Sequence, residues 1–152
     1  MGKVYDYLER VPKGDNPSYV RRLDLQFTNA QMLAFRATPL TLVASPGAGR
    51  INVFAGLELQ FDRTAAYTES TANIVVRYTN GSGVIVSQVG EATGFADAAA
   101  DAFLFVPPAD SPLLTPNAAL VMHNNGAGEW GGGNAANVIY ATVYYRIVKT
   151  KF

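Results

Sequence analysis

The side chains able to do chemistry are few and scattered. His123 is the only histidine, and there is no cysteine. A multi-histidine metal site, a thiolate nucleophile, cysteine-ligated zinc and disulfides are therefore all excluded. A general base at His123 would need a nucleophile and an orienting acid brought to it by the fold. The nearest serine pattern, Gly81-Ser82-Gly83, lacks the Gly-x-Ser-x-Gly spacing of a nucleophile elbow and falls in an expected hairpin turn. His123 reads instead as a hydrogen-bonded residue at a strand end.

Asp97 and Asp101 stand four positions apart, so a helix over 97–102 would carry both carboxylates on one face. Calcium takes about six to eight oxygen ligands, and no Asp-x-Asp-x-Asp loop supplies them. An N-cap at Asp97 and a solvated helix face is the simpler expectation. Glu58 and Asp62 point outward from a strand. Ser45-Pro46-Gly47-Ala48-Gly49-Arg50 has glycines but no Gly-Lys-Ser/Thr ending, and a strand follows it, so it reads as a turn and not as a phosphate cradle. Trp130 lies in the glycine- and asparagine-rich stretch from Asn124 to Asn137. It is expected as an exposed interface anchor; its ring could alternatively stack on a sugar beside Asn124, Asn125 and Asn134. The chain is expected not to be an enzyme, with no catalytic residue, cofactor or metal.

The elements that carry these residues read as strands. In 20–27, Leu23, Leu25 and Phe27 alternate with Arg22, Asp24 and Gln26, the pattern of a half-buried strand. Met32 to Arg36 and Leu40 to Ala44 are expected as two short strands broken at Pro39. In 51–61, Ile51, Val53, Ala55, Leu57, Leu59 and Phe61 share one parity, with Asn52, Glu58, Gln60 and Asp62 on the other. A period of two sends the first set to the core, and Gly56 suggests a bend or bulge. Asn73 to Tyr78 and Val84 to Val89 flank Asn80-Gly81, a strong hairpin signal. Phe103 to Val106, Ala119 to His123 and Val138 to Val148 complete the set, the last with Ile139, Ala141, Val143, Tyr145 and Ile147 on one side. Tyr140, Tyr144 and Phe54 fall on the less apolar parities and are expected to face outward, toward a subunit contact.

Eight or nine strands with long connections across 61–73 and 89–103 favour an all-β, single-domain, jelly-roll-like β-sandwich over a simple meander. The expected division is a body over 20–152 and an extended N-terminal arm over 1–19. The arm contains Pro12, Gly14 and Pro17, and its Tyr5, Tyr7 and Tyr19 are expected to order against a neighbouring subunit, since disordered tails are usually poor in aromatics.

The balance of charge narrows the partners. Charged residues make up 16% of the chain, against roughly a quarter in an ordinary soluble domain, so part of the surface is expected to be covered by protein. Twelve basic and twelve acidic residues cancel, which argues against nucleic acid as the main ligand. No apolar run approaches the ~20 residues that span a bilayer, and residues 1–10 lack the apolar core of a signal peptide. No membrane partner and synthesis in the cytoplasm are expected.

Two stretches carry a resemblance. The first runs from Gln31-Met32-Leu33-Ala34-Phe35 through Pro39-Leu40-Thr41-Leu42-Val43 and Pro46-Gly47-Ala48-Gly49-Arg50-Ile51 to Phe61. The second is Leu120-Val121-Met122 with the Asn/Gly-rich loop, closing on Val143-Tyr144-Tyr145-Arg146-Ile147-Val148. With the Asn80-Gly81 hairpin they span most of 31–148 and resemble the decoration, or cement, proteins of tailed-bacteriophage heads; residues 1–19 lie outside the resemblance. The likeness implies a jelly-roll body on the outer surface of the virion capsid, bridging adjacent major capsid subunits. It also implies a homo-oligomer, a trimer ahead of a dimer. A carbohydrate-binding jelly-roll module using the Trp130 loop is the alternative.

Overall fold

A computed structural model describes residues 18–69 and 73–152. Among them are nine strands and one short helix: β1 (Arg21–Thr28), α1 (Asn29–Met32), β2 (Leu40–Val43), β3 (Arg50–Asp62), β4 (Tyr67–Thr68), β5 (Ile74–Tyr78), β6 (Ala102–Val106), β7 (Leu120–Asn124), β8 (Gly131–Gly132) and β9 (Val138–Lys149). The strands form antiparallel sheets packed as a sandwich, one in the order β1-β9-β3-β6 and one in the order β2-β7-β5, with a small β4-β8 pair beside them. Residues 84–90 return alongside β5 through the bridges Arg77↔Ile85 and Ile74↔Gly90 rather than as a regular strand. One reason is Ser87, whose Oγ accepts from the Val76 amide at 2.8 Å in place of a main-chain carbonyl.

The pairings nest around the Asn80-Gly81 turn. Outward from it, β5 meets the 84–90 leg, β3 meets β6, β2 meets β7 and β1 meets β9. The glycines of that turn serve close approach. A Cβ on Gly81 would lie 2.7 Å from His123 Nε2, and the left-handed residue is Thr79, at φ 65°.

β3 shows why simple alternation misplaces one residue. From Leu57 to Phe61 the odd positions are buried as the period of two requires. A bulge at Ala55, where Phe54 pairs with Tyr145 and Gly56 with Tyr144, then reverses the parity. Asn52 and Phe54 consequently enter the core, at 0% and 5% exposure, and Val53 and Ala55 turn outward. Phe54 is thus an inner-face residue, and the outward placement expected for it is corrected. The amide of Asn52 donates to Ala44 O and Ala118 O, tying β3 to the segments that lead out of β2 and into β7.

Two further expectations fail locally. Met32 to Arg36 is not a strand, because Thr28 and Gln31 make a capping box: the Gln31 amide donates to Thr28 Oγ1 and the Thr28 amide to Gln31 Oε1. That reciprocal pair starts a helical turn, which buries Met32 and Phe35. No helix follows Asp97 either. Its carboxylate accepts from the Gly94 amide, closing a turn, while Asp101 accepts from the Arg63 amide 2.9 Å away. The two aspartates are spent on separate loops.

Candidate functional site

The outer face of the four-stranded sheet is set by register. Three rows of side chains cross it: Gln26, Tyr140, Gln60 and Phe103; then Asp24, Thr142, Glu58 and Phe105; then Arg22, Tyr144 and Gly56. Toward β1 the rows are polar and mutually satisfied. Thr142 Oγ1 donates to Asp24 at 2.7 Å, Arg22 Nε donates to Asp24 at 3.0 Å, and Tyr144 Oη donates to Glu58 at 3.2 Å. The hydroxyl of Thr142 and the guanidinium of Arg22 together hold the Asp24 carboxyl below its ordinary range.

Toward β6 the same rows become aromatic and bare. Phe103 is 75% exposed and Phe105 55%, with Tyr140 at 43% and Tyr144 half-buried. The Phe105 ring lies over Gly56, where a Cβ would come within 3.0 Å of it, so the ring covers the backbone that the bulge leaves open. Shallow clefts of about 310 and 100 Å³ flank Phe103, the first lined by Glu58, Gln60 and Phe105, the second by Gln60, Asp62, Asp101 and Tyr140. Such a surface offers apolar contact area beside the side-chain amide of Gln60 and the carboxylates of Glu58, Asp62 and Asp101. Sequence reasoning placed Tyr140 and Tyr144 outward and overlooked Phe103 and Phe105. The signal was their shared parity in Ala102-Phe103-Leu104-Phe105-Val106.

Trp130 is not on a surface. It is 3% exposed, edge-on to Phe35 with ring centroids 5.0 Å apart and tilted against Tyr67 at 5.2 Å. Tyr67 in turn stacks on Phe61. The expectation of an exposed Trp130 anchor is therefore corrected: the ring fills this chain's own core, and no face of it is open to a sugar. Tyr5 and Tyr7 lie outside the described residues. Tyr19 is described and is 38% exposed.

A second constellation sits on the face of β5 and β7 turned away from the core. Val75 pairs with His123 and Arg77 with Val121, which makes Arg77 and His123 diagonal neighbours. Arg77 Nε donates to His123 Nδ1 at 3.2 Å, Nη1 to Gly83 O at 2.9 Å and Nη2 to Asn125 Oδ1 at 2.6 Å. An imidazole accepting at Nδ1 is neutral, with its proton on Nε2. Burial, and then the Arg77 charge, push the His123 pKa down, against a smaller opposing effect of hydrogen bonding to the Arg36 backbone. Burial also lowers the pKa of Arg77. Both residues line an open cavity of about 530 Å³ with Arg36, Asn80, Ser82 and Asn125. His123 thus has a cation, not an orienting carboxylate, at its side-chain nitrogen.

Asp62 and Asp101 share one cleft while Glu58 lines another, and among the described residues no group of three or more His, Asp or Glu side chains is placed to hold a metal. No described helix is long and apolar enough to cross a membrane. Comparison with protein-family models, with curated proteins and with solved structures returns no match for this chain.

Proposed function

We propose that this chain is a structural virion protein that binds the outer surface of a tailed-phage capsid and stabilises it by bridging adjacent major capsid subunits. The observation that carries the proposal is the bare aromatic edge of the four-stranded sheet, Phe103 and Phe105 above all. Large exposed rings beside polar rows are the composition of a protein-binding surface, with apolar anchors and a hydrogen-bonding rim. Contacts of this kind are weak singly and strong when a symmetric shell repeats them.

The finer fold proposed is a jelly roll. With the 84–90 leg counted as a strand and the two-residue β4 and β8 set aside, eight strands pair first with eighth, second with seventh, third with sixth and fourth with fifth. That is one long hairpin rolled into two sheets, the two-sheet, eight-strand arrangement of the class. It agrees with the resemblance to decoration proteins drawn from 31–148. The trimeric state and the contact of Tyr5, Tyr7 and Tyr19 with a neighbouring subunit belong to the same proposal. The sugar-binding alternative loses its main support with the burial of Trp130.

Light scattering on the purified full chain tests the oligomeric part, and a mass of three protomers is expected. A strict monomer that also fails to band with tailed-phage heads in a density gradient would overturn the proposal as a whole.

A further inference from the structure

We propose that the cavity between the 79–83 turn, the Arg36–Pro39 segment and the end of β7 binds a small molecule carrying a tetrahedral oxyanion, a phosphate or sulfate group. The inference is independent of the capsid proposal.

It starts from an imbalance of charge. Arg36 and Arg77 both line the cavity, and no acidic side chain does. Arg77 is half-buried, and its hydrogen-bond partners are an imidazole nitrogen, a main-chain carbonyl and an amide oxygen, all neutral. Among the described residues neither arginine has a carboxylate at ion-pair distance of its guanidinium. The nearby carboxylate of Glu129 is taken up by the Arg36 and Ala37 amides, at 3.0 and 2.7 Å. A half-buried cation without a counter-ion is costly unless an anion completes it.

The hydrogen-bonding inventory points the same way. Asn80 Oδ1 already accepts from the Ser82 amide, and Asn125 Oδ1 from Arg77 Nη2. Each amide oxygen is thereby engaged, which leaves the NH₂ end of each side chain to donate. His123 Nδ1, the imidazole's acceptor, is filled by Arg77. Arg36 Nε donates to Gly126 O at 2.7 Å, fixing its side chain at the rim and leaving its terminal nitrogens. What remains around the cavity is therefore mostly donors: the terminal nitrogens of Arg36, the second N–H on each terminal nitrogen of Arg77, two amide NH₂ groups and the Ser82 hydroxyl. Guanidinium forks with several neutral donors suit an oxyanion presenting three or four oxygens. The volume, about 530 Å³, falls within the range of small-molecule sites.

The test is an NMR titration of the full chain with inorganic phosphate and, separately, sulfate, with acetate and glucose as comparators at matched ionic strength. Saturable shifts confined to residues 80–82, 125–126 and the His123 imidazole are expected for phosphate, sulfate or both, and which of the two saturates first identifies the group. Arg36→Gln, an exposed change whose folding is checked by the unperturbed remainder of the spectrum, is expected to weaken binding at least tenfold. Arg77→Gln should weaken it further if that variant folds. Shifts that do not saturate or that spread over the surface would mean an adventitious ion only and would overturn the proposal. So would acetate or glucose binding equally well, or undiminished binding by Arg36→Gln.

Discussion

At the scale of single residues, the chain's polar atoms are spent largely on structure, and His123 illustrates how. Its imidazole accepts from Arg77 and is covered by the Asn80-Gly81 turn, and Arg77, Arg36 and Glu129 are the charged groups that act on it. Because its pKa is depressed in the folded chain, the unfolded chain takes up the proton first as the pH falls. Stability is therefore unaffected by this group above its ordinary value of 6.5. It declines below that value, until the folded site is protonated as well, after which the slope vanishes. Urea denaturation at stepped pH, compared with a His123→Gln variant, should show this extra acid sensitivity in the native chain and not in the variant. Equal pH dependence in the two proteins would remove the argument. Trp130 gives the converse lesson. A tryptophan among glycines looks exposed when only its neighbours in sequence are considered, yet its burial is decided by Phe35 and Tyr67, which are far away along the chain.

At the scale of elements, legibility followed periodicity. β9 alternates over its buried half, with Ile139, Ala141 and Val143 inside, and it was readable because nothing interrupts its register with β1. β3 was readable only from Leu57 onward, since one extra residue at Ala55 exchanges the two faces. Gly56 signalled the position of that bulge but not its consequence for Phe54. The Thr28–Gln31 capping box was equally present as a pattern, and it outweighed the apolar run that suggested a strand. Because the bulge turns Phe54 and not Val53 inward, Phe54→Ala should cost far more stability than Val53→Ala. The expected loss at Phe54 is that of a buried Phe→Ala change, ~3–5 kcal/mol. Thermal denaturation with calorimetry measures it, and a Phe54→Ala variant no less stable than Val53→Ala would contradict the assigned role of the bulge.

At the scale of the whole molecule, two sheets bury their facing sides and leave an asymmetric exterior. The β1 side of the outer face is knitted by Arg22, Asp24 and Thr142, and the β6 side is left greasy. Exposed rings beside hydrogen-bonded polar rows are the composition on which the proposed protein-binding role rests. The most direct measurement is co-sedimentation with tailed-phage heads of the full chain and of a Phe103→Ser/Phe105→Ser variant. Both positions are exposed, so the variant should stay folded, with a stability change of about 1 kcal/mol or less at each surface site. The native chain is expected to band with the heads at a fixed ratio and the variant to remain in the supernatant. Equal binding by the two proteins, with thermal midpoints matched, would contradict the claim that the aromatic edge is where this chain holds its partner.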